Sequence, residues 1–504
     1  MKAIFKYLAF LLAVLSLGCI TGCKDLLTVK NEEKLSGDEF WTQGNEADVE
    51  SFTLSMYAFF RSATMTASPF ITSTGDFRCA PVMPFTPNNN SYFTLLASNN
   101  LNTLISRNEN GESNVTDWKN FYKVVQSANI LLENIGNVPG LSEQKKQEFR
   151  FEAVFMRNLS FFMMARVFGD IPYYTNAQNQ TSLPRSNMVV VLNNCLNDLK
   201  SILDADPNAQ NIPWLQPGQK SGIRPNRGAA LLLMMHINMW LVRFDATKAN
   251  TYYQNTVDLG NLLVNNNGGA YYLLDIERSS DIFRGGSAES LFEIAQNINA
   301  GETFNSASNF SNQFTYKYKS ISDYPPAYFP IDFLGRLFSP EETDKRKELW
   351  FDEDIYKVDG TRKELTKFLY PDVSGGKYTS NAGNQIVFRY ADGILLYAEA
   401  LSELGTDESK ALELLNLVRN RAGAAPKASL GTDLKDDIYW ERVRELIGEG
   451  QYYFDLVRTG KIHDPNYCYH TISRANFNAG AWTWPIHPNA FLNNTKMTDN
   501  MYWK

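Results

Sequence analysis

Cysteine and histidine are scarce: the 504-residue chain holds 5 of the first and 4 of the second. Cys19 and Cys23 lie near the N-terminus, which leaves Cys79, Cys195 and Cys468 for the body. Three thiols allow at most one disulfide. Without a C-x-x-C pair or nearby histidines they do not spell a zinc site, and they are read as buried free thiols. His463, His470 and His487 show no standard metal spacing. His236 sits in an apolar helix and reads as a satisfied core residue. The chain also lacks G-x-x-x-x-G-K-[ST], H-E-x-x-H and G-x-S-x-G, the marks of a phosphate cradle, a zinc-protease helix and a nucleophile elbow. "DEDIYKVDG" at 352–360 falls short of the full EF-hand pattern. No cofactor is implied, although a structural calcium ion held by loops stays open. Basic residues are outnumbered, 48 against 55 acidic, and a net charge of −7 argues against nucleic acid as a partner. Long apolar runs are missing beyond the N-terminus. "AALLLMMHINMWLV" at 229–242 is too short to span a bilayer and carries His236 and Asn238, so it reads as a buried helix.

The N-terminus has the parts of a secretion leader. Lys2 and Lys6 precede an apolar stretch from Tyr7 to Leu17, followed by Ile20-Thr21-Gly22-Cys23. Small residues just before a cysteine resemble a bacterial lipobox, in which that cysteine is acylated and becomes the first residue. Cys23 is the expected lipidation site, with a plain secretory leader as the bland alternative. Cys19 lacks an aliphatic residue three places upstream. A multiply acylated N-terminus would hold the protein on a membrane face.

Hydropathy then divides the chain. Residues 1–22 are the leader and 23–45 an extended polar tether. Residues 46–265 form a helical region interrupted by a Pro-, Asn- and Ser-rich loop at 64–112. Apolar positions at i, i+3, i+4 and i+7 predict helices over 46–62, 118–135, 143–168, 187–204, 229–242 and 248–264. Residues 266–504 begin with an irregular lobe, 266–385, with strand-like pieces such as "SLFEIAQNI" and "NQFTYKYKSI". Helices return over 386–460 before a C-terminal tail. "RYADGILLYAEALSEL" and "ALELLNLVRNRAG" form a hairpin of the tetratricopeptide (TPR) kind. The expected fold class is mostly α, a scaffold of TPR-like hairpins carrying a long loop and an irregular lobe with a few short strands.

Several blocks together resemble the RagB/SusD family of outer-membrane lipoproteins. "FEAVFMRNLSFFMMARVFGDIPYY" matches through Glu152, Ala153, Arg157, Phe168, Gly169, Asp170 and Pro172. "FRYADGILLYAEAL" matches through Arg389, Ala391, Asp392, Leu395, Ala398 and Glu399. "LNLVRNRAG" matches through Asn416, Arg419, Arg421 and Ala422. "ERVRELIGEGQYYFDLVRTG" matches through Glu441, Arg442, Glu445, Leu446, Glu449, Gly450, Asp455, Leu456 and Arg458. In the tail, His487 and Ala490 replace the family's usual Pro and Glu. On the residues alone, the charged positions of these blocks lie between apolar ones on helices, where buried charges need partners. They are expected to be interhelical ion pairs rather than a catalytic carboxylate pair.

The resemblance implies a non-enzymatic binding protein, lipid-anchored on the outer membrane and facing outward. It would capture glycan, or less often peptide, and pass it to a SusC-like TonB-dependent transporter; a non-binding lid on that transporter is the further alternative. It also implies that the ligand face is built by the loop before the first helix pair and by the middle lobe. Position therefore points to Arg78, Tyr92 and Phe93 in the loop, and to Phe314, Tyr316 and Tyr324 in the lobe. Aromatic rings suit the flat apolar faces of sugars.

Overall fold

Along the chain the main helices are α1 (Gly37–Gln43), α2 (Glu46–Thr64), α3 (Phe70–Gly75), α4 (Tyr92–Ala97), α5 (Leu101–Arg107), α6 (Lys119–Asn134), α7 (Glu143–Phe168) and α8 (Met188–Asp204). They continue as α9 (Arg227–Phe244), α10 (Ala249–Asn265), α11 (Ile331–Leu337), α12 (Tyr390–Leu404), α13 (Glu408–Arg421), α14 (Gly431–Glu445) and α15 (Tyr452–Arg458). This computed structural model describes residues 37–65, 70–84, 92–108, 112–179, 181–215, 221–297, 327–351, 354–356, 365–368, 370–371, 378–380 and 383–504. Strand pairing among them consists of three antiparallel two-stranded ladders and two isolated antiparallel bridges, Ile171 to Ser186 and Phe351 to Leu365. The ladders are β1 (Met83–Pro84) with β3 (Ala327–Tyr328), β2 (Ser290–Ile294) with β6 (Gln385–Arg389), and β4 (Tyr370–Pro371) with β5 (Tyr378–Ser380).

Helices α6 and α7, α9 and α10, and α12 and α13 are hairpins, and the array continues because each hairpin packs on the next. Local chemistry sets the boundaries. Ser142 accepts the Lys145 N–H at the start of α7, and Gly169, at φ 75°, ends it. Asn226 caps α9 and Asp407 caps α13, while Gly405 in the left-handed region turns the chain between α12 and α13. Helix α7 is buried at Phe149 and from Phe151 to Phe168, as its all-round apolarity predicts. The three thiols of the body are free and buried. His236 is buried and shares a 2.6 Å hydrogen bond with Asp392.

Two expectations need correction. The tether over 23–45 is not extended throughout, because α1 covers its last part and buries Trp41 edge-on to Phe40 and Phe52. Burying a large apolar side chain is worth roughly 2–3 kcal/mol, enough to fix a short helix that propensity alone would not. The loop over 64–112 likewise contains α3, α4, α5 and β1. Its helices hold because Leu95, Leu96, Leu101 and Leu104 are buried. No sustained period could reveal helices of six or seven residues. In the irregular lobe, "SLFEIAQNI" supplies β2 as expected, whereas "NQFTYKYKSI" lies outside the described residues.

Candidate functional site

The segment from α3 to β1 is anchored by backbone contact. Gly75 lies directly against the Gly450 carbonyl, so closely that a Cβ would collide with it. The Asp76 carboxylate accepts the Gly450 N–H at 2.6 Å. From this turn Arg78 runs inward. Its guanidinium donates to the carbonyls of Trp482 at 2.7 Å, Ala481 at 2.5 Å and Thr483 at 3.0 Å, and to Asn99 Oδ1 at 2.8 Å. It also lies 4.5 Å over the Tyr453 ring and is 0% exposed. Arg78 is therefore a clamp on the C-terminal segment and not a ligand contact. Phe93 is also core, packed edge-on against Phe77 at 5.3 Å and Tyr92 at 5.1 Å. Tyr92 stays half-buried with its hydroxyl 2.5 Å from Ser73 Oγ. Cys23, Phe314, Tyr316 and Tyr324 lie outside the described residues. The β1–β3 ladder brings residues 327–328, where the description resumes after the middle segment, onto residues 83–84 of the loop. The two regions expected to carry the ligand face thus share a backbone ladder.

The charged motif residues form a buried ion-pair network. Arg157 bonds Asp198 and Asn129, both at 2.7 Å. Arg389 spans Glu445 at 2.8 Å and Glu449 at 2.6 Å. Arg442 joins Asp392 at 2.8 Å and Asp455 at 3.1 Å. Glu441 is ringed by Arg346 and Arg419, both at 2.8 Å, and Arg444 at 3.0 Å. Burial alone would raise the Glu441 carboxyl, but the three guanidiniums outweigh it and bring it to about 2. His236 and Arg442 likewise overcome burial at Asp392 and hold it below its ordinary range. Glu152 differs. Burial dominates, Arg224 only partly offsets it, and its carboxyl is left raised. Lys367 is brought down to about 8 by burial, against the pull of Glu449. The partners Arg224, Arg346 and Lys367, and Glu289 at 3.3 Å from Arg389, had no motif to mark them.

Two further concavities lie on the helical scaffold. A groove of about 730 Å³ runs between α8, α9 and α10, with Leu196, Leu231, Met234 and Leu259 on its walls. On its floor the Asn255 amide donates to Asn238 Oδ1 at 3.2 Å. A cleft of about 480 Å³ between α2 and α7 is lined by Glu50, Glu152, Lys145 and Arg224; Arg224 pairs with Glu50 and Glu152, and Lys145 with Glu148. Among the described residues no group of three or more His, Cys, Asp or Glu side chains is placed to hold a metal ion.

Comparison with known proteins is concordant. Residues 361–503 match the family model described as the SusD family, and residues 46–231 match one described as starch-binding associating with outer membrane. The crystal structure of a SusD homolog from Bacteroides thetaiotaomicron VPI-5482 is 52% identical, covering 92% of this chain and all of that one, with a TM-score of 0.87. A SusD-like protein of Formosa agariphila is 25% identical over 89% of this chain and 90% of its own length. The surface glycan-binding protein A from Bacteroides uniformis, at 18% identity and a TM-score of 0.69, shares the fold over 91% of this chain and its own full length.

Proposed function

The chain belongs to the SusD/RagB family, and on that premise we propose that it binds glycan at the cell surface. In this reading the protein is anchored through Cys23, faces outward and hands oligosaccharide to a SusC-like TonB-dependent transporter. The observation that carries it is the 52% identity to a SusD homolog over 92% of the chain. The family description of its N-terminal half as starch-binding and associated with the outer membrane supports the ligand class and the location. It is read as binding without cleaving, a reading supported by the commitment of the buried motif carboxylates Glu152, Asp392, Glu441 and Glu449 to arginine, lysine or histidine. The ligand face is assigned to the loop and middle lobe that meet at the β1–β3 ladder, with Tyr92 at its edge and Phe314, Tyr316 and Tyr324 as its rings.

The test is calorimetry against a panel of purified oligosaccharides. Saturable binding to at least one glycan class is expected, with no release of reducing ends on prolonged incubation. Tyr324→Ala should weaken that binding by about 1–2 kcal/mol and leave the melting temperature unchanged. Tyr324 precedes Pro325-Pro326, which stiffen its backbone and lower the entropic cost of presenting the ring. Unaltered affinity in Tyr324→Ala removes that residue from the face. No saturable binding to any glycan favours the lid reading instead.

A further inference from the structure

Cys79 and Cys468 are 389 positions apart and meet in the interior, where the Cys468 Sγ donates to the Cys79 carbonyl oxygen at 3.8 Å. They are 0% and 1% exposed. The Cys468 thiol is pushed up first by a hydrogen bond with the Cys79 side chain and then by burial. Neither residue is locked in regular structure. Cys79 lies in the turn between α3 and β1 with φ 54°, in the left-handed region, and Cys468 follows a turn in which its N–H donates to Asp464 at 2.9 Å. Short irregular segments can make the small backbone adjustment that disulfide geometry demands. Cys195, on α8 beside Asp198, is the remaining thiol of the body and has no cysteine partner among the described residues.

We propose that Cys79 and Cys468 form a disulfide when the chain folds in an oxidising compartment. Two S–H bonds break and one S–S bond forms. The two electrons reduce the disulfide of an exchange partner, either a thiol–disulfide oxidoreductase or glutathione disulfide, which leaves as two thiols carrying the two protons. Because both sulfurs are buried, the exchange takes place before the two ends of the chain close on each other. The bond would tie the turn beneath the proposed ligand face to the segment just past α15, closing a loop of nearly the whole body. Cross-links over long loops constrain the unfolded chain most. The proposal leans on the surface-lipoprotein reading only for the source of oxidant, and its test in solution is independent of that reading.

The experiment refolds the mature chain, carrying Cys23→Ala to remove the N-terminal thiol, in a glutathione redox buffer and in reductant. Free thiols are alkylated under denaturing conditions, and peptides are mapped without reduction. A peptide joining Cys79 to Cys468, two hydrogens lighter than the sum of its parts and split by reductant, is expected, with Cys195 alkylated. The oxidised protein should melt a few degrees above the reduced one, a gap that Cys79→Ser abolishes. Full alkylation of both cysteines after oxidative refolding overturns the proposal, as does Cys195 joined to either of them as often as they are joined to each other. The map of the unsubstituted body decides even if Cys79→Ser fails to fold.

Discussion

Arg78 shows how a residue's role depends on what covers it. From its position in a loop it reads as a ligand contact, yet the segment 481–483 closes over it and takes three of its donors. That segment is some 400 positions away, and nothing near Arg78 in the sequence announces it. Truncation to Ala leaves the Ala481 and Thr483 carbonyls without their donor, while Trp482 keeps the Tyr453 hydroxyl, and such groups cost on the order of 1–3 kcal/mol each when unpaired. Arg78→Ala should therefore lower the denaturation midpoint sharply while leaving glycan affinity intact in whatever fraction folds; selective loss of affinity with unchanged stability would return Arg78 to the ligand face. Glu441 carries a second prediction. Its carboxyl is about 2 in the folded protein against an ordinary 4.5. A folded value below the unfolded one means that the ionised form stabilises the fold. That contribution is complete above about pH 4.5 and is lost as pH falls towards 2. Glu441→Gln should cost about 3–5 kcal/mol at pH 7, since three buried guanidiniums lose their shared anion. The gap to wild type, measured by urea unfolding, should narrow between pH 4.5 and 2.5. A gap that stays constant with pH would show that Glu441 acts through packing rather than charge.

Elements were legible in proportion to their length. The hairpins stand out because twelve or more residues repeat an apolar stripe and end in Ser, Asp or Gly. α3, α4 and α5, of six or seven residues each, do not, because tertiary burial rather than periodicity makes them helical. Glycines inside helices test how closely the elements pack. Gly260 of α10 faces α12, and a Cβ there would lie 2.5 Å from the Tyr397 ring. Gly335 of α11 has nothing within 4 Å of its Cβ position. Alanine is favoured over glycine by about 1 kcal/mol within a helix. Gly335→Ala should thus raise the melting temperature slightly. Gly260→Ala should lower it, because the ring it meets belongs to a packed helix pair and over-packing costs about 1–3 kcal/mol. Equal gains from both substitutions would mean that α10 and α12 are further apart than described.

For the whole molecule, the blocks matched from α7 to α15 proved to be the pins of the scaffold rather than a site. This explains why the fold could be read from them and the ligand could not. Arg157, Arg389, Asp392, Glu441 and Glu449 pin elements of the scaffold together, whereas the residues proposed for the ligand face lie in loops with no spacing rule. The proposed membrane attachment rests on the opposite kind of signal, since a leader is local and needs no partner in the fold. The apolar run from Tyr7 to Leu17 and the Ile20-Thr21-Gly22-Cys23 stretch are the grounds for proposing Cys23 as the acyl acceptor. One acyl chain binds a membrane only marginally, so firm anchoring requires the several chains that a lipobox cysteine receives. Cys23→Ala should therefore move the protein from the membrane fraction to the soluble one. Because α1 and the body begin at Gly37, beyond the acceptor, the melting temperature should not change. The measurement belongs in cells lacking the partner transporter, since a large protein interface could retain the variant by itself. Membrane retention of Cys23→Ala in those cells would place the anchor elsewhere in the chain.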